Sequence, residues 1–208
     1  MDWAAWHADY EDPDSPLTRR LQLVQRHIRS FLEEFHASPV RVVSMCAGEA
    51  RDLLGAVALS DRRDLVGRLV ELNPDLADVA RRGCAALGLS DVEVVTGDAG
   101  HSSAYLDAIP ADLVLECGVF GNISDADVER TVRATPQLCA PGGTVIWTRH
   151  RREPDLTPSI RRWYEESGFE ELAFEHVPDS PGSVGVVVYR GETLPLVDQQ
   201  LFVFDRTE

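Results

Sequence analysis

Small and acidic residues follow three successive predicted strands, at positions where they could hold an adenosine group. The loop Cys46-Ala47-Gly48-Glu49-Ala50 comes after the first of these strands, Glu71 after the second and Asp98 after the third. Small residues let the backbone of the first loop approach a ligand closely, and the helix after it offers free N–H groups. An acid about 23 residues beyond Gly48 can bond the two hydroxyls of a ribose. Asp98 can accept a hydrogen bond from an adenine amino group.

Each of these residues also has an ordinary structural explanation. Gly48 could simply make a turn, Glu71 could be a solvated acid, and Asp98 could cap the short helix that follows it. What favours a binding site is that all three stand at the same end of consecutive strands. In an open parallel sheet, ligands bind beyond the carboxyl ends of the strands, next to the first strand.

The pattern of apolar residues indicates alternating helices and strands. Between Leu17 and Phe35 the apolar residues recur at steps of three and four, which is typical of an amphipathic helix. Further helices are predicted over 51–59, 73–87, 124–138 and 156–167, and strands over 40–45, 65–72, 92–96, 111–117, 144–148, 169–177 and 183–190. Pro141-Gly142-Gly143 is predicted to form a turn before the fifth strand. The stretch 194–204 is expected to add a short strand or to pack on the edge of the sheet.

Strands that alternate with helices predict a parallel sheet covered by helices on both faces. Only residues 178–182 separate the last two strands, which is too short for a parallel return and requires an antiparallel hairpin. The sequence therefore predicts an α/β fold with a seven-stranded, mostly parallel, doubly wound sheet and an antiparallel C-terminal strand. Residues 1–38 are predicted to form an N-terminal helical lid or extension, and residues 39–208 the Rossmann-like domain.

The composition limits the classes of partner and of chemistry. A chain of 208 residues, 44% of them apolar, suits one main globular domain. Its net charge of −15 repels phosphate backbones and anionic lipid, so no nucleic-acid or membrane partner is expected. All 20 basic residues are arginine, which excludes a lysine nucleophile, a lysine base and a phosphate-loop lysine.

The cysteines and the chain terminus indicate the cellular compartment. The 4 cysteines are widely spaced and form no CxxC pair, which favours reduced thiols in a reducing compartment. No signal-peptide core is visible near the N-terminus, and no apolar run approaches the length of about 20 residues that spans a bilayer. A cytoplasmic protein is therefore expected, and no metal site is predicted.

From about residue 40 to residue 190 the chain resembles the class I S-adenosylmethionine-dependent methyltransferases. The antiparallel last strand separates that family from dinucleotide dehydrogenases. The first motif of the family is an acid followed by three small positions at alternate residues. Here Ser44 stands in the place of the acid, and Cys46, Gly48 and Ala50 stand at the small positions. The resemblance implies that the cofactor is S-adenosylmethionine and that the product is S-adenosylhomocysteine.

The same resemblance implies a set of cofactor-binding residues. Glu71 would bind the ribose, Leu72 would contact adenine, and Asp98 would bind the adenine amino group. The segment Cys117-Gly118-Val119 would run under the methionine part. Together with Arg51, which is a separate hypothesis for the carboxylate of the cofactor, the predicted cofactor-binding residues are Cys46, Ala47, Gly48, Glu71, Leu72, Asp98, Ala99, Cys117, Gly118 and Val119.

The replacement of the motif acid by Ser44 changes how the amino-acid end of the cofactor must be held. Its ammonium group needs other acceptors, such as the carbonyls of Cys46 and Cys117. Its carboxylate would bind to Arg51 or to free N–H groups near Ala50.

Methyl transfer from a sulfonium is an in-line displacement, in which the enzyme mainly aligns the acceptor atom with the methyl group. A base is needed only where the acceptor must lose a proton early. The candidate catalytic residues are His150, after the fifth strand, and His7 and Tyr10 in the N-terminal segment. His150 could equally be a solvated loop histidine. Together with Trp3 and Trp6, His7 and Tyr10 either form a wall of the acceptor pocket or hold the first helix to the body.

A basic cluster after the fifth strand has two interpretations. Arg149, Arg151 and Arg152 could hold a carboxylate or phosphate of the substrate, or they could be solvated and paired with Glu153 and Asp155.

The sequence thus predicts an enzyme that transfers a methyl group from S-adenosylmethionine to a small-molecule acceptor. One alternative is a protein that binds the same cofactor without transferring its methyl group. A second is an NAD-dependent oxidoreductase, although its G-x-G-x-x-G loop is not present. The protein is expected to be a monomer or a homodimer.

Overall fold

The computed structural model of the chain describes residue 12 and residues 15–204. The helices are α1 (Pro16–Glu34), α2 (Arg51–Ala58), α3 (Pro74–Ala86), α4 (Asp125–Ala134) and α5 (Thr157–Glu166). The strands are β1 (Val40–Met45), β2 (Leu65–Glu71), β3 (Val92–Thr96), β4 (Ala111–Glu116), β5 (Cys139–His150), β6 (Phe169–His176) and β7 (Gly182–Tyr189). Two short 3₁₀ helices cover Ser102–Tyr105 and Thr135–Gln137.

The seven strands form one sheet in the order β3-β2-β1-β4-β5-β7-β6. Strand β7 runs antiparallel to both of its neighbours, and the pairs among β1 to β5 are parallel. The chain reverses direction of winding at β1, which lies between β2 and β4, so a crevice opens beyond the carboxyl ends of β1 and β4. The predicted α/β fold with an antiparallel C-terminal strand is confirmed.

Helices cover both faces of the sheet. One apolar core joins α1, α2 and α3 to the sheet, with Val24, Leu53 and Ala80 fully or almost fully buried. A second core joins α4 and α5 to the opposite face. Its largest member, Trp147 on β5, lies beside Gly185 on β7, where an added Cβ would come within 2.2 Å of the Trp147 ring.

Two local predictions are wrong in their bounds. Strand β5 begins at Cys139, so the predicted turn at 141–143 lies inside the strand as an irregularity. Gly142 has a φ of +81° there, and the pairing register with β4 shifts. The predicted helix 124–138 ends as an α-helix at Ala134, because Pro136 has no N–H to continue the hydrogen-bond ladder and the chain tightens into a 3₁₀ turn.

Helix α1 lies closely against α2. Ser15 caps its first turn by accepting a hydrogen bond from the Thr18 N–H at 3.0 Å. The side chain of Gln25 donates to the carbonyl of Arg51 at 2.8 Å, and Gly55 leaves room for Gln25, since an added Cβ would lie 2.1 Å from its amide nitrogen. The predicted division of the chain at residue 38 stays a prediction.

The stretch after β7 packs across the body without forming a strand. The N–H groups of Leu201 and Phe202 both donate to the carbonyl of Gly100, and Thr131 on α4 donates to the carbonyl of Leu201. An added Cβ on Gly100 would lie 2.2 Å from the Phe202 carbonyl oxygen, so this crossing requires glycine. The stretch thereby ties the segment after β3 to α4.

Candidate functional site

The loop after β1 has a strained backbone and leads directly into α2. Cys46, Gly48 and Ala50 have φ values of +51°, +57° and +57°, and only glycine adopts this region without cost. Ala50 is the N-cap of α2 and makes no side-chain capping bond, so the first N–H groups of the helix are not satisfied by a cap. Backbone strain of this kind is often found at ligand sites.

Glu71 joins the loops after β1 and β2. Its Oε2 accepts a hydrogen bond from the Gly48 N–H at 2.7 Å, and its Oε1 accepts from the Asn73 N–H at 2.8 Å. The residue is 8% exposed. Each carboxylate oxygen retains a further lone pair, so Glu71 can still accept hydrogen bonds from two ligand hydroxyls. Beside it, Leu72 is 63% exposed.

Asp98 and Ala99 follow β3 at the same edge. The Asp98 carboxylate is exposed and its Oδ1 accepts from the Gly100 N–H at 2.8 Å, while Ala99 is buried. Burial raises the pKa of the Cys46 thiol well above its usual value, and the charges of Glu71 and Asp98 raise it further. The structure therefore brings the loop after β1 and both acids together, and the Cys46 thiol stays protonated and is not a nucleophile.

The segment after β4 is held by β5 and by its own turn. The Gly118 N–H donates to Thr148 Oγ1 at 2.8 Å, and the Asn122 side chain donates to the Gly118 carbonyl at 2.7 Å. Cys117 is half-buried and Val119 is fully buried. Because β4 lies next to β1, this segment borders the same crevice as the loop 46–50.

Glu116, the last residue of β4, has an environment that the sequence did not indicate. It is fully buried and accepts hydrogen bonds from Thr135 Oγ1, at 2.8 Å, and from the Tyr164 hydroxyl. Burial raises the pKa of this carboxyl to about 7, against the lowering effect of the two hydroxyls.

Two of the three arginines of the basic cluster after β5, Arg149 and Arg151, are bonded within the chain, and Arg152 is exposed. Arg149 is 9% exposed, donates to the Phe120 carbonyl and lies 3.4 Å from a carboxylate oxygen of Asp125. Arg151 donates to the Ser180 carbonyl at 3.2 Å. The salt-bridge partner in the structure is therefore Asp125 rather than Glu153 or Asp155.

His150 lies at the carboxyl end of β5, close to Gly121 in the segment after β4. Burial lowers the pKa of its imidazole, and the charges of Arg149 and Arg152 lower it further, so the ring is neutral at pH 7. Its Nδ1 lies 3.3 Å from the Arg152 backbone N–H, which makes Nδ1 the acceptor and places the ring proton on Nε2. The other candidate catalytic residues, His7 and Tyr10, lie outside the described residues, as do Trp3 and Trp6.

Arg51, the predicted partner of a ligand carboxylate, already has an acidic neighbour. Its Nε donates to Glu49 Oε2 at 2.5 Å. The sequence did not single out two other charged residues of this corner, Arg20 and Asp52. Near the starts of α1 and α2, such residues look like ordinary surface charges of a helix, and only their tertiary placement marks them.

Among residues 12 and 15–204 no group of three or more histidine, cysteine, aspartate or glutamate side chains is arranged to hold a metal ion. Over the same residues, no helix has the length and apolar character needed to cross a bilayer.

No protein-family model and no curated protein matches the chain. Several solved structures match the chain in fold. Magnesium protoporphyrin IX methyltransferase from Synechocystis PCC 6803, with bound S-adenosylmethionine, matches with a TM-score of 0.69 at 10% identity, over 91% of each chain. An rRNA methylase from Streptococcus thermophilus matches with a TM-score of 0.60 at 12% identity, over 79% of this chain and 95% of its own.

An O-methyltransferase family protein from Burkholderia thailandensis matches with a TM-score of 0.61 at 16% identity, over 83% of this chain. The match spans 57% of the length of the Burkholderia protein. The chain therefore has the fold of the class I S-adenosylmethionine-dependent methyltransferases.

Proposed function

We propose that this protein is an S-adenosylmethionine-dependent methyltransferase that acts on a small-molecule acceptor. The observation that carries the proposal is the convergence of Gly48, Glu71 and Asp98 at the carboxyl ends of three adjacent strands. Two of the structural neighbours are methyltransferases with small-molecule or O-methyl names, and one of them is crystallised with S-adenosylmethionine.

The residues present suit an adenosine group. Glu71 keeps lone pairs for the ribose hydroxyls, and exposed Asp98 offers an acceptor to an adenine amino group. The exposed side chain of Leu72 would gain burial against a flat base. The remaining contacts to the cofactor are assigned to the loop Cys46-Ala47-Gly48, to Ala99 and to the segment 117–119.

When bound, the cofactor supplies a methyl group on a positively charged sulfur. The work left to the chain is to orient the acceptor atom and to exclude water. We assign His150 to the acceptor side, where its Nε2–H would donate a hydrogen bond to an oxygen or nitrogen of the acceptor. His7 and Tyr10 are the other residues proposed for that side.

A small-molecule acceptor is proposed on the basis of charge. The net charge of −15 opposes a polynucleotide, and the local arginines Arg149 and Arg151 already serve partners within the chain. A cytoplasmic location is proposed because all four cysteines are free thiols.

A second candidate function follows from Ser44. With no acid at this position, the amino-acid end of the cofactor loses the acceptor expected from the family motif. A protein that binds the cofactor but does not transfer its methyl group is the alternative.

Binding and turnover test these functions separately. Calorimetry should show binding of S-adenosylhomocysteine and none of NADH. Asp98→Ala should weaken that binding by about tenfold, because a ligand hydrogen bond to a charged acceptor is lost. Asp91→Ala, which removes an exposed acid from the opposite edge of the sheet, is the matched control and should change nothing.

Incubation with radiolabelled S-adenosylmethionine and a metabolite library should then yield labelled product and S-adenosylhomocysteine. Binding without turnover would favour the second candidate, and no binding at all would overturn both.

A further inference from the structure

The amino-acid end of the proposed cofactor carries an ammonium and a carboxylate, and the loop after β1 leaves both without an obvious partner. Ser44 replaces the acid and is 2% exposed. Among the N–H groups near Ala50, that of Ala50 itself is already bonded to the Ala47 carbonyl at 2.8 Å. Arg51, the other expected donor, is paired with Glu49. Other charged groups of this corner are therefore candidates for holding this end of the cofactor.

The face of the sheet toward which Ser44 points indicates which helices can supply these charges. On β1, Val42 packs in the core under α1 and α2, and on β4 Leu115 does the same. Side chains alternate along a strand, so Ser44 and Cys117, each two residues further on, point to that same face. The position of the missing acid and the segment under the methionine part therefore both look toward α1 and α2.

The first turns of α1 and α2 meet at this corner. Helix α2 begins at the carboxyl edge, directly after the loop 46–50. Helix α1 also begins there, since Arg19 lies 3.6 Å from Asp179 in the turn that follows β6, and β6 ends at the carboxyl edge. Arg20 follows in α1, and Asp52 is the second residue of α2.

The charges of Arg20 and Asp52 act on each other and on Cys117. Burial raises the pKa of the Asp52 carboxyl, and the charge of Arg20 opposes that shift. Burial likewise raises the pKa of the Cys117 thiol; Asp52 adds to the effect and Arg20 opposes it. The three groups therefore lie within electrostatic range of one another.

Each of the two charged groups can take a ligand. Asp52 Oδ1 accepts from the Leu53 N–H at 2.7 Å, and no side chain of residues 15–204 donates a hydrogen bond to its carboxylate. Arg20 has several N–H donors on one planar group and can serve more than one acceptor. A carboxylate and a guanidinium within electrostatic range of each other match the two charges of an α-amino acid.

We infer that Asp52 and Arg20 hold the amino-acid end of the cofactor, Asp52 accepting from its ammonium and Arg20 donating to its carboxylate. The inference rests on the proposed function. It moves the acid that receives the ammonium from the end of β1 to the first turn of α2, and it adds α1 to the binding site.

Three nucleosides separate the two roles in calorimetry. S-Adenosylhomocysteine carries both charges, decarboxylated S-adenosylmethionine keeps only the amine, and 5′-methylthioadenosine has neither. Asp52→Asn should weaken binding of the first two by at least about tenfold and leave 5′-methylthioadenosine unchanged. Arg20→Gln should weaken only S-adenosylhomocysteine by a similar factor.

The variants keep other features of the site constant. Asparagine at position 52 retains the oxygen that accepts from the Leu53 N–H, so α2 should stay intact, and thermal unfolding checks this. Asp61→Asn, beyond the other end of α2, and Arg29→Gln, farther along α1, remove the same charges away from the corner and should leave all three affinities unchanged.

The outcomes distinguish this inference from the proposed function. Wild-type protein that binds neither S-adenosylhomocysteine nor 5′-methylthioadenosine overturns both. Wild-type binding that Asp52→Asn and Arg20→Gln leave unaltered overturns the inference alone. Equal losses for all three nucleosides also overturn it, because they would place the effect on the adenosine side or on folding.

Discussion

The two halves of the carboxyl edge of the sheet treat their charged side chains differently. Beyond β2 and β3, Glu71 and Asp98 accept hydrogen bonds only from backbone N–H groups and keep lone pairs for other partners. Beyond β4 and β5, Glu116 is fully buried between two hydroxyls, and Arg149 is 9% exposed between a carbonyl and Asp125. The carboxylates of the first half therefore keep acceptor capacity for a ligand, whereas Glu116 and Arg149 of the second half are bonded to side chains and a carbonyl of the chain itself.

This difference assigns different kinds of recognition to the two halves. A polar, hydroxyl-rich ligand such as adenosine suits the half beyond β1 to β3, where acceptors are open. In the half beyond β4 and β5, Glu116 and Arg149 are bonded within the chain, and a ligand would meet His150 and the exposed Arg152.

The largest expected effect is on stability and concerns Glu116, the buried acid at the end of β4. Its folded-state pKa of about 7 exceeds the ordinary value of 4.5, so the native state binds the proton more tightly than the unfolded chain. Stability should therefore fall as the pH rises from about 4.5 to about 7 and stay low above that. The shift corresponds to about 3 kcal/mol.

Glu116→Gln cannot ionise and should not lose this part of its stability. Measured by urea unfolding, the stability of the variant relative to wild type should increase by about 3 kcal/mol between pH 4.5 and pH 8. Glu165→Gln, an exposed neighbour of Tyr164 on α5, is the control and should show no such trend. If the stability difference between Glu116→Gln and wild type did not change with pH, the distinction between the two halves would be lost.

The sequence could predict the residues beyond β1 to β3 better than those beyond β4 and β5. Loop 46–50, Glu71 and Asp98 are marked by local signals, namely strand ends, small residues and regular spacing. Glu116 also ends a strand and looks like Glu71 in the sequence. The difference arises from Tyr164 and Thr135, which are 48 and 19 residues away, and only the packing of α5 and the 3₁₀ turn brings them in.

The fold shows the same division between local and distant causes. Strand and helix positions follow from apolar periodicity and agree within a few residues. The start of β5 does not, because Pro141, Gly142 and Gly143 favour a turn locally while pairing with β4 and β7 extends the strand through them. The path of 191–204 across Gly100 could not be predicted either, since its bonds join residues about 100 positions apart.

A smaller effect, on catalysis, is expected at His150 at the end of β5, whose Nε2 carries the ring proton. If its Nε2–H orients the acceptor, His150→Ala should lower kcat/KM by about 30-fold, close to 2 kcal/mol, with little change in S-adenosylhomocysteine affinity. His36→Ala, an exposed histidine at the amino edge, is the control. The wild-type rate should not fall steeply as the pH drops below 6.5, because a protonated ring still donates.

That pH profile separates an orienting donor from a general base. A base would lose activity as it becomes protonated, and the loss would disappear in the variant. Such a profile would contradict the tautomer that the Arg152 N–H selects and would assign His150 to proton removal.

The smallest expected effect is on cofactor binding and concerns Leu72, in the half beyond β2 and β3. Leu72 is 63% exposed at the end of β2, and contact with adenine would bury part of it, worth about 1 kcal/mol. Leu72→Ser should therefore weaken S-adenosylhomocysteine binding about fivefold without lowering the unfolding temperature. Leu59→Ser, at a leucine that is 68% exposed beyond the other end of α2, makes the same chemical change away from the site. Because the two leucines are equally exposed, equal changes in affinity would mean that Leu72 does not contact the base, and the adenine would have to bind on the Asp98 side alone.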